Sequence, residues 1–358
     1  MDGFADTGSK GQVMIARANN LRLDEGAREF SPDTPAPTDP APPSDAPLLR
    51  KPRVGLALSC GGAKGLAHIG VIQVLEEHGI EVDAIAGSSM GAYIAAIWGF
   101  GHDGQKMEAL AREYQGRFGL RRLLDPVFPP RQGFIRGEQM KRRLQRTIGD
   151  GQFSDMVRKA MVIATELNTL ERVVFSSGQV ASAVHASVAI PGVCVPVQIG
   201  GRSYIDGGIA DPLPVEVLKE AGMDRVIAVN TIPPPSFLKC CEEQMREQAV
   251  LRGQKEGLFG FLNRHLNYFA PGNILDIMMR AVNGSQVRVA ESSCRRADLV
   301  LRPLAIDGSW IEFNNPLKYI ELGRRVAREN IGAIKAVFNA RIPAYEHQPT
   351  RRAVGAII

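Results

Sequence analysis

The sequence predicts an α/β protein with a mostly parallel central sheet sandwiched between helices in three layers. Hydrophobic residues make up 44% of the 358 residues but aromatic residues only 6%, so the core is built mainly from small aliphatic side chains. The 37 glycines indicate many tight turns. Short apolar runs alternate with stretches of helical period, which is the pattern of parallel strands joined by helices.

The first repeat of this pattern begins at Val54–Leu58, an apolar run that ends at a glycine pair. Leu66–Leu75 has the apolar spacing of a buried helix face, and Gly79 ends that helix. A second strand at Ala84–Ala86 and a helix at Gly91–Trp98 follow. Because a helix connects the two strands, they are predicted to be parallel.

The same reasoning extends along the rest of the chain. Strands are predicted at Met161–Ala164, Val173–Phe175, Val226–Val229 and Leu299–Leu301, and helices at 105–115, 138–147, 214–220, 273–290 and 316–338. Residues 84–101 carry no charge and have the length of a membrane span, but their four glycines and two serines predict a turn between a strand and a helix instead.

The ends of the chain differ in composition from its middle. Eight of the 23 prolines lie between Pro32 and Pro52, so residues 1–52 are predicted to be a disordered, proline-rich segment. A folded domain is expected at 53–340 and a tail at 341–358. The five cysteines have no metal or disulfide spacing, and residues 1 to 20 lack the apolar stretch of a signal peptide, so a cytoplasmic location is expected.

The charge balance argues against a nucleic-acid partner. The 43 Lys and Arg against 38 Asp and Glu give a net charge of only +5. Nine of the basic residues fall between Arg117 and Arg146, which fits either contact with anionic lipid headgroups at a membrane or a solvated helix face. The apolar stretch Lys255–Gly272 fits a lid, a membrane-docking segment or a helix packed on the core.

The most specific motif is G-S-S-M-G at Gly87–Gly91, a G-x-S-x-G sequence where a strand is predicted to turn into a helix. Such a turn needs small residues on both sides, and it exposes the central hydroxyl, that of Ser89, at the positive end of the helix. Ser89 is therefore a candidate nucleophile. The alternative is a merely structural Gly-Ser turn.

The preceding strand also ends in a glycine-rich loop, C-G-G-A-K-G at Cys60–Gly65. Adjacent glycines allow backbone amides to face an anion. The loop fits neither the phosphate-binding nor the dinucleotide-binding motif, because Lys64 precedes a glycine and the glycine spacing differs. An oxyanion hole remains, in which each amide contributes about 3 kcal/mol to transition-state stabilisation.

A serine nucleophile needs a base, and the residues leave two candidates open. His185 is the one histidine of six in a segment of small residues, A-S-A-V-H-A-S. Asp206 lies in Y-I-D-G-G-I, where two glycines permit the close approach of another segment. Burial would raise the pKa of such a carboxylate toward a useful basicity, although an Asp before two glycines is also a common turn.

Together these segments resemble the patatin-like phospholipase family, specifically its compact bacterial members. Three motifs occur in the family's order: G-G-x-[RK]-G at Gly61–Gly65, G-x-S-x-G at Gly87–Gly91 and D-G-[GA] at Asp206–Gly208. The resemblance covers about residues 53 to 339. It implies a patatin-like α/β catalytic domain without a metal or organic cofactor.

The resemblance also implies a Ser-Asp dyad that works without a histidine, with Ser89 as nucleophile and Asp206 as general base. The implied oxyanion hole consists of the backbone amides of Gly61, Gly62 and Ala63, with Lys64 at the family's basic position. Lys64 either contacts substrate or holds the loop through carbonyl oxygens. The implied activity is that of a serine carboxylic-ester hydrolase of phospholipase A or lysophospholipase type, which transfers a fatty acyl group to the serine and then to water.

Two alternatives stay open beside this interpretation. One is a Ser-His acyltransferase that uses His185, and the other is a non-catalytic lipid-binding or regulatory protein with the same fold. In each case the expected partner is a phospholipid or another lipid ester, with contact at the inner face of a membrane. The sequence predicts neither the headgroup nor the oligomeric state.

Overall fold

A central sheet of eight strands organises the part of the chain that the structure describes. The computed structural model describes residues 49–116, 121, 124–240, 243, 273–306 and 308–344. The sheet strands are β2 (Val54–Leu58), β3 (Ala84–Ser88), β4 (Ala160–Glu166), β5 (Arg172–Phe175), β6 (Val197–Ile199), β7 (Arg202–Asp206), β8 (Arg225–Val229) and β9 (Leu299–Leu301). Their order is β6-β7-β4-β3-β2-β8-β9, with β5 also paired to β4.

The helices lie on both faces of this sheet. They are α1 (Ala67–Glu77), α2 (Met90–Gly99), α3 (Gly104–Arg112), α4 (Glu138–Ile148), α5 (Val180–Ser187), α6 (Val215–Glu220), α7 (Ile274–Cys294), α8 (Pro316–Glu329) and α9 (Ile331–Asn339). Short 3-10 turns at Gly62–Leu66 and Gly207–Ile209 follow β2 and β7.

Two hydrophobic clusters separate the three layers. Alternate residues of β2 point to opposite faces, so Leu56 packs into the cluster that holds α1, α2 and α8. Ala57 faces the other cluster, where α6 and α7 cover the sheet. The predicted three-layer α/β class is confirmed, and its centre is built from buried Val, Ile, Leu and Ala side chains.

The first two strands have the predicted parallel arrangement. β2 pairs in parallel with β3, and Leu58 lies opposite Gly87. The loop after β2 and the turn after β3 therefore lie side by side at the carboxyl edge of the sheet, where α/β proteins commonly bind ligands. The uncharged stretch 84–101 is a strand, a turn and a helix, as predicted. Among the described residues, no helix has both the length and the apolar character to span a bilayer.

The predicted strands and helices in the described region are present, with one difference. The helix predicted at 316–338 is divided into α8 and α9 at Asn330. The side chain of Asn330 donates to the carbonyl of Val326 at 2.8 Å, and this local bond competes with continued helix geometry.

Two short strands near the ends of the described region pair just outside the predicted domain boundaries. β1 (Leu49–Arg50) pairs in antiparallel fashion with β10 (Ile342–Pro343). The remainder of the predicted terminal segments, residues 1–48 and 345–358, and the predicted lid or docking segment 255–272 lie outside the described residues.

Candidate active site

The candidate nucleophile lies in a strained turn between β3 and α2. Ser89 has φ 54° and ψ −119°, a backbone conformation that residues with side chains rarely adopt. Its amide donates to Ser187 Oγ at 2.8 Å, which ties the turn to the end of α5. The turn holds Ser89 at the amino terminus of α2, where the helix dipole favours negative charge.

The turn requires glycine on both sides of Ser89, because backbone atoms lie where a Cβ atom would be. A Cβ at Gly87 would overlap the carbonyl oxygen of Gly91, and a Cβ at Gly91 would overlap the carbonyl oxygen of Leu58. The glycines of G-x-S-x-G are therefore steric requirements, and no larger residue fits at either position.

Strand β4 brings Asp206 to this turn. Along one edge of β4, Ile163 pairs with Ser88 at the end of β3, and the next residue, Ala164, pairs with Asp206 at the end of β7. β5 occupies the opposite edge at both positions. Because β7 runs antiparallel to β4 and β3 runs parallel to it, the carboxyl ends of β3 and β7 meet head to head.

This meeting places the two candidate catalytic side chains in direct contact. Ser89 Oγ donates a hydrogen bond of 2.6 Å to Asp206 Oδ2. The other carboxylate oxygen, Oδ1, accepts from the Gly208 amide at 2.7 Å. Burial raises the pKa of Asp206 to about 6, although its two hydrogen bonds oppose the rise. A carboxylate of that basicity is suited to accept the hydroxyl proton near neutral pH.

The glycine-rich loop lies beside Ser89 but offers fewer free amides than predicted. The Ala63 amide donates to the carbonyl oxygen of Trp310 at 2.8 Å, so it points away from the site. The amides of Gly61 and Gly62 make no hydrogen bond to a described residue, and both residues line the cavity that contains Ser89.

Burial shifts the pKa values of two further side chains of this loop, Lys64 and Cys60. Lys64 lines the same cavity and makes no ion pair or side-chain hydrogen bond within the described ranges. Burial lowers its pKa. Burial, helped by the charge of Asp206, raises the pKa of the Cys60 thiol well above its ordinary range, so that the thiol stays protonated.

The alternative base, His185, is bonded elsewhere. Its Nε2 lies 3.0 Å from the carbonyl oxygen of Arg136, and burial lowers its pKa. Its Nδ1 is 3.8 Å from a carboxylate oxygen of Glu138. The hydroxyl of Ser89 bonds to Asp206 and not to this imidazole.

Two cavities meet at Ser89, and they share Gly62, Ile190 and Trp310. The first, which we call the apolar cavity, has a volume of about 770 Å³ and is walled by α2, α4, α5 and the segment 124–137. The second, which we call the polar cavity, has a volume of about 450 Å³ and also contains Asp206. Lys64 and the α7 residues Arg280, Asn283 and Gln286 line the polar cavity together with apolar side chains.

Comparison with known proteins finds a family match for part of the chain. Residues 56–219 match the family model of patatin-like phospholipases. These residues form a patatin-like phospholipase domain. The match includes Ser89 and Asp206, the two residues joined by the short hydrogen bond.

Relatives of the patatin-like domain include proteins of bacteria and fungi. An uncharacterized NTE family protein of Mycobacterium tuberculosis is 38% identical over 181 residues, 50% of this chain and 49% of the relative. The lysophospholipase nte1 of Aspergillus fumigatus is 36% identical over 179 residues, 49% of this chain and 12% of the relative. The chain thus spans about half the length of the mycobacterial protein that it matches.

Among solved structures, that of VipD from Legionella pneumophila superposes with a TM-score of 0.40 at 14% sequence identity. The superposition covers 78% of this chain and 66% of VipD.

The site also contains functional residues that the sequence did not reveal, and two of the three lie outside the patatin-like match. Ser187 positions the nucleophile turn, Trp310 occupies the third loop amide, and Gln286 of α7 lines the polar cavity. Ser187 stands in a small-residue segment but no spacing rule connects it to Ser89. Within the described ranges, no cluster of three or more His, Cys, Asp or Glu is arranged to hold a metal ion.

Proposed function

We propose that the protein is a serine ester hydrolase that removes fatty acyl groups from phospholipids or lysophospholipids through an acyl-enzyme. The observation that carries the proposal is the 2.6 Å hydrogen bond from a strained serine to a buried carboxylate, at the point where an apolar and a polar cavity meet. The patatin-like domain and the fungal relatives named lysophospholipases support a lipid ester as substrate.

The first chemical step is attack by Ser89 on the ester carbonyl carbon. Asp206 accepts the hydroxyl proton as Oγ forms its bond to that carbon, and the carbonyl electron pair moves to the oxygen. The tetrahedral intermediate then expels the alcohol portion of the lipid, which takes the proton from Asp206. Water repeats the sequence on the acyl-serine, and the fatty acid leaves.

The negative oxygen of the intermediate needs donors close to Ser89. We assign this role to the amides of Gly61 and Gly62, each worth about 3 kcal/mol in the transition state. The Ala63 amide, which the motif implied as a third donor, is excluded from the role because it already donates to the Trp310 carbonyl. The amino terminus of α2 adds a favourable dipole.

The shape of the site supports a division of the substrate. A fatty acyl chain has no polar atoms beyond its ester, so the apolar cavity suits the chain, while the polar cavity suits the alcohol portion with its phosphate. Because such lipids reside in bilayers, contact with a membrane surface is part of the proposal. We also propose the predicted segment 53–340 as the catalytic domain.

The proposal is tested with Ser89→Ala and Asp206→Asn on a panel of phospholipids and lysophospholipids, with products identified by mass. Each substitution is expected to lower kcat by about 10³-fold or more, because it removes the nucleophile or its base. Ser182→Ala and Asp150→Asn, which lie outside the two cavities, serve as matched controls and are expected to keep full activity.

A fluorophosphonate probe separates this proposal from a non-catalytic lipid-binding protein. An activated Ser89 should be labelled in the parent protein and not in Ser89→Ala. Absence of labelling in a folded parent protein, or full activity of Asp206→Asn, would contradict the Ser-Asp dyad.

A further inference from the structure

The apolar cavity opens beside an unusual surface feature, the segment 124–137. Pro126 and Ile135 form an antiparallel bridge, and the Val127 amide donates to the carbonyl of Phe134 at 2.9 Å. We call this segment the 124–137 hairpin. Its tip presents Phe128, whose side chain is 96% exposed and also lines the apolar cavity.

The hairpin is held firmly to the body of the protein. The two carboxylate oxygens of Asp125 accept from the amides of Gly137 and Gln139, at 2.8 and 3.1 Å. On the other side, the amides of Phe134 and Ile135 donate to the carbonyl of Val193. Because both sides of the hairpin are anchored in this way, its backbone holds Phe128 at the surface.

The mouth of the apolar cavity has further exposed apolar side chains. Leu124 and Ile311 line the cavity near Phe128, and both are more than a third exposed. Isolated apolar residues on a surface need no explanation, but these exposed side chains all line the cavity that contains Ser89. The apolar surface is therefore continuous from the hairpin tip to the candidate nucleophile.

The charges of the hairpin indicate the chemistry of its partner. Arg131 and Arg136 are exposed, and neither guanidinium makes an ion pair with a described residue. The one acidic residue of the hairpin, Asp125, uses its carboxylate to accept the two backbone amides. An exposed aromatic ring flanked by unpaired arginines complements a surface that is apolar within and negatively charged outside, which is a bilayer with anionic headgroups.

We propose that the 124–137 hairpin docks the protein on an anionic lipid bilayer, with Phe128 inserted between headgroups and the two arginines against phosphates. This inference rests on the proposed function, because docking in this orientation directs the mouth of the apolar cavity to the membrane. An acyl chain then leaves the bilayer along the apolar rim and reaches Ser89 without crossing water.

The test measures co-sedimentation of the full chain with vesicles. Ser89→Ala is used as the parent so that binding is independent of turnover. It is expected to bind vesicles of equal parts phosphatidylcholine and phosphatidylglycerol more tightly than vesicles of phosphatidylcholine alone, with less binding at high salt. Phe128→Ala should lower the partition coefficient of the protein onto vesicles by about tenfold. Arg131→Gln and Arg136→Gln should each weaken it by about fivefold.

Matched controls lie at the opposite edge of the sheet. Val157 is 72% exposed and Lys159 is exposed, and both precede β4, at the edge away from Ser89. Val157→Ala and Lys159→Gln remove an exposed apolar side chain and an exposed charge, and they should bind vesicles like the parent. Since the hairpin substitutions are at exposed side chains, thermal melting should be unchanged and any loss of binding is not a loss of folding.

Three results would overturn the docking proposal. They are equal partition of Phe128→Ala and the parent, equal binding of the parent to both kinds of vesicle, and a parent dimer that dissociates in Phe128→Ala during size-exclusion chromatography. The last result would assign the hairpin to a second copy of the chain. If the vesicle results are as expected while the wild-type chain hydrolyses no lipid, the docking surface stands and the proposed hydrolase function fails.

Discussion

The apolar cavity and the polar cavity share one serine but come from different parts of the chain. The apolar cavity is lined mainly by α2, α4, α5 and the 124–137 hairpin, with Trp310, Ile311 and Phe313 added from later in the chain, and its walls are mostly aliphatic and aromatic. The polar cavity is built from the glycine-rich loop and α7, which brings polar side chains from much later in the sequence.

Under the proposed function, this difference lets a single strained turn act on an amphipathic substrate. Each cavity suits one part of a lipid, and Ser89 lies at the boundary where the ester bond between those parts would lie. Asp206 belongs to the polar cavity, and His185 to the apolar one. The proposed base and the proposed acyl-chain surface are thus separated, and each can be altered by itself.

Apart from the Ser-Asp dyad itself, the largest effect is expected from displacing the glycine-rich loop between the cavities. Gly62 has φ 56°, and a Cβ there would overlap the carbonyl oxygen of Trp310. Gly62→Ala should displace the loop and its two free amides, and kcat/KM should fall by about 10²-fold or more for every ester tested. The measurement is steady-state hydrolysis of a short-chain and a long-chain ester.

Gly79→Ala is the matched control for this substitution. Gly79 also has a positive φ, 61°, but a Cβ added there would meet open space, so the change costs only about 1 kcal/mol of backbone strain. It should lower the melting temperature slightly and leave kcat/KM unchanged. Equal activity of Gly62→Ala and Gly79→Ala would contradict the role of the loop amides as oxyanion donors.

The second prediction concerns which cavity supplies the base. Because burial raises the pKa of Asp206 to about 6, kcat/KM should fall by about tenfold for each pH unit below 6 and level off above it. His185→Asn should keep both the rate at neutral pH and this profile. A collapse of activity in His185→Asn, with a milder effect of Asp206→Asn, would instead support the Ser-His acyltransferase.

The same pKa has a consequence for stability. The folded protein keeps the Asp206 proton between pH 3.8 and about 6, where the unfolded chain has lost it. Stability therefore falls as pH rises through this range, by about 3 kcal/mol in total for this group. Asp206→Asn carries no such charge, so at pH 7 it should melt at a higher temperature than the wild-type protein, as measured by calorimetry.

How much of this site the sequence predicts depends on the range of the contacts. The Ser89 turn and the glycine-rich loop are local motifs, and the parallel pairing of β2 with β3 follows from the helix between them. The meeting of Ser89 with Asp206 is different, because it depends on two strands sharing one edge of β4, and only the motif resemblance pointed to it.

The loop amides also show how distant contacts limit sequence-based prediction. Here a distant residue removes a predicted interaction instead of adding one. The resemblance to the patatin-like family implied three amides at the oxyanion, those of Gly61, Gly62 and Ala63. The carbonyl that occupies the Ala63 amide belongs to Trp310, in a loop between β9 and α8 that contains no recognisable signal. The local motif cannot show that a distant carbonyl oxygen accepts the Ala63 amide in place of a substrate oxygen.

The third prediction concerns a substitution that enlarges the apolar cavity. Met140 separates it from a small neighbouring cavity of about 50 Å³, whose wall it shares with Met90 and Phe313. Met140→Ala should join the two spaces and shift the preferred acyl chain to greater length. Each additional buried methylene is worth about 0.8 kcal/mol, or about fourfold in kcat/KM.

Chain-length profiles of lysophosphatidylcholines measure this shift, and Met279→Ala is the matched control. Met279 lines the polar cavity, so its truncation should leave the chain-length optimum where it is in the wild-type protein. An equal shift in both variants would contradict binding of the acyl chain in the apolar cavity alone.

The last prediction concerns the charge of the polar cavity. Lys64 lines that cavity without an ion pair to a described residue, so its ammonium is available to a substrate phosphate. Lys64→Met should lower kcat/KM for lysophosphatidylglycerol by about tenfold relative to a neutral monoacylglycerol, the effect of one partly screened charge pair. Lys159→Met, at the far edge of the sheet, should change neither. If Lys64 instead serves to hold the loop through carbonyl oxygens, both substrates will slow by the same factor, because the loop amides act on the ester and not on the phosphate.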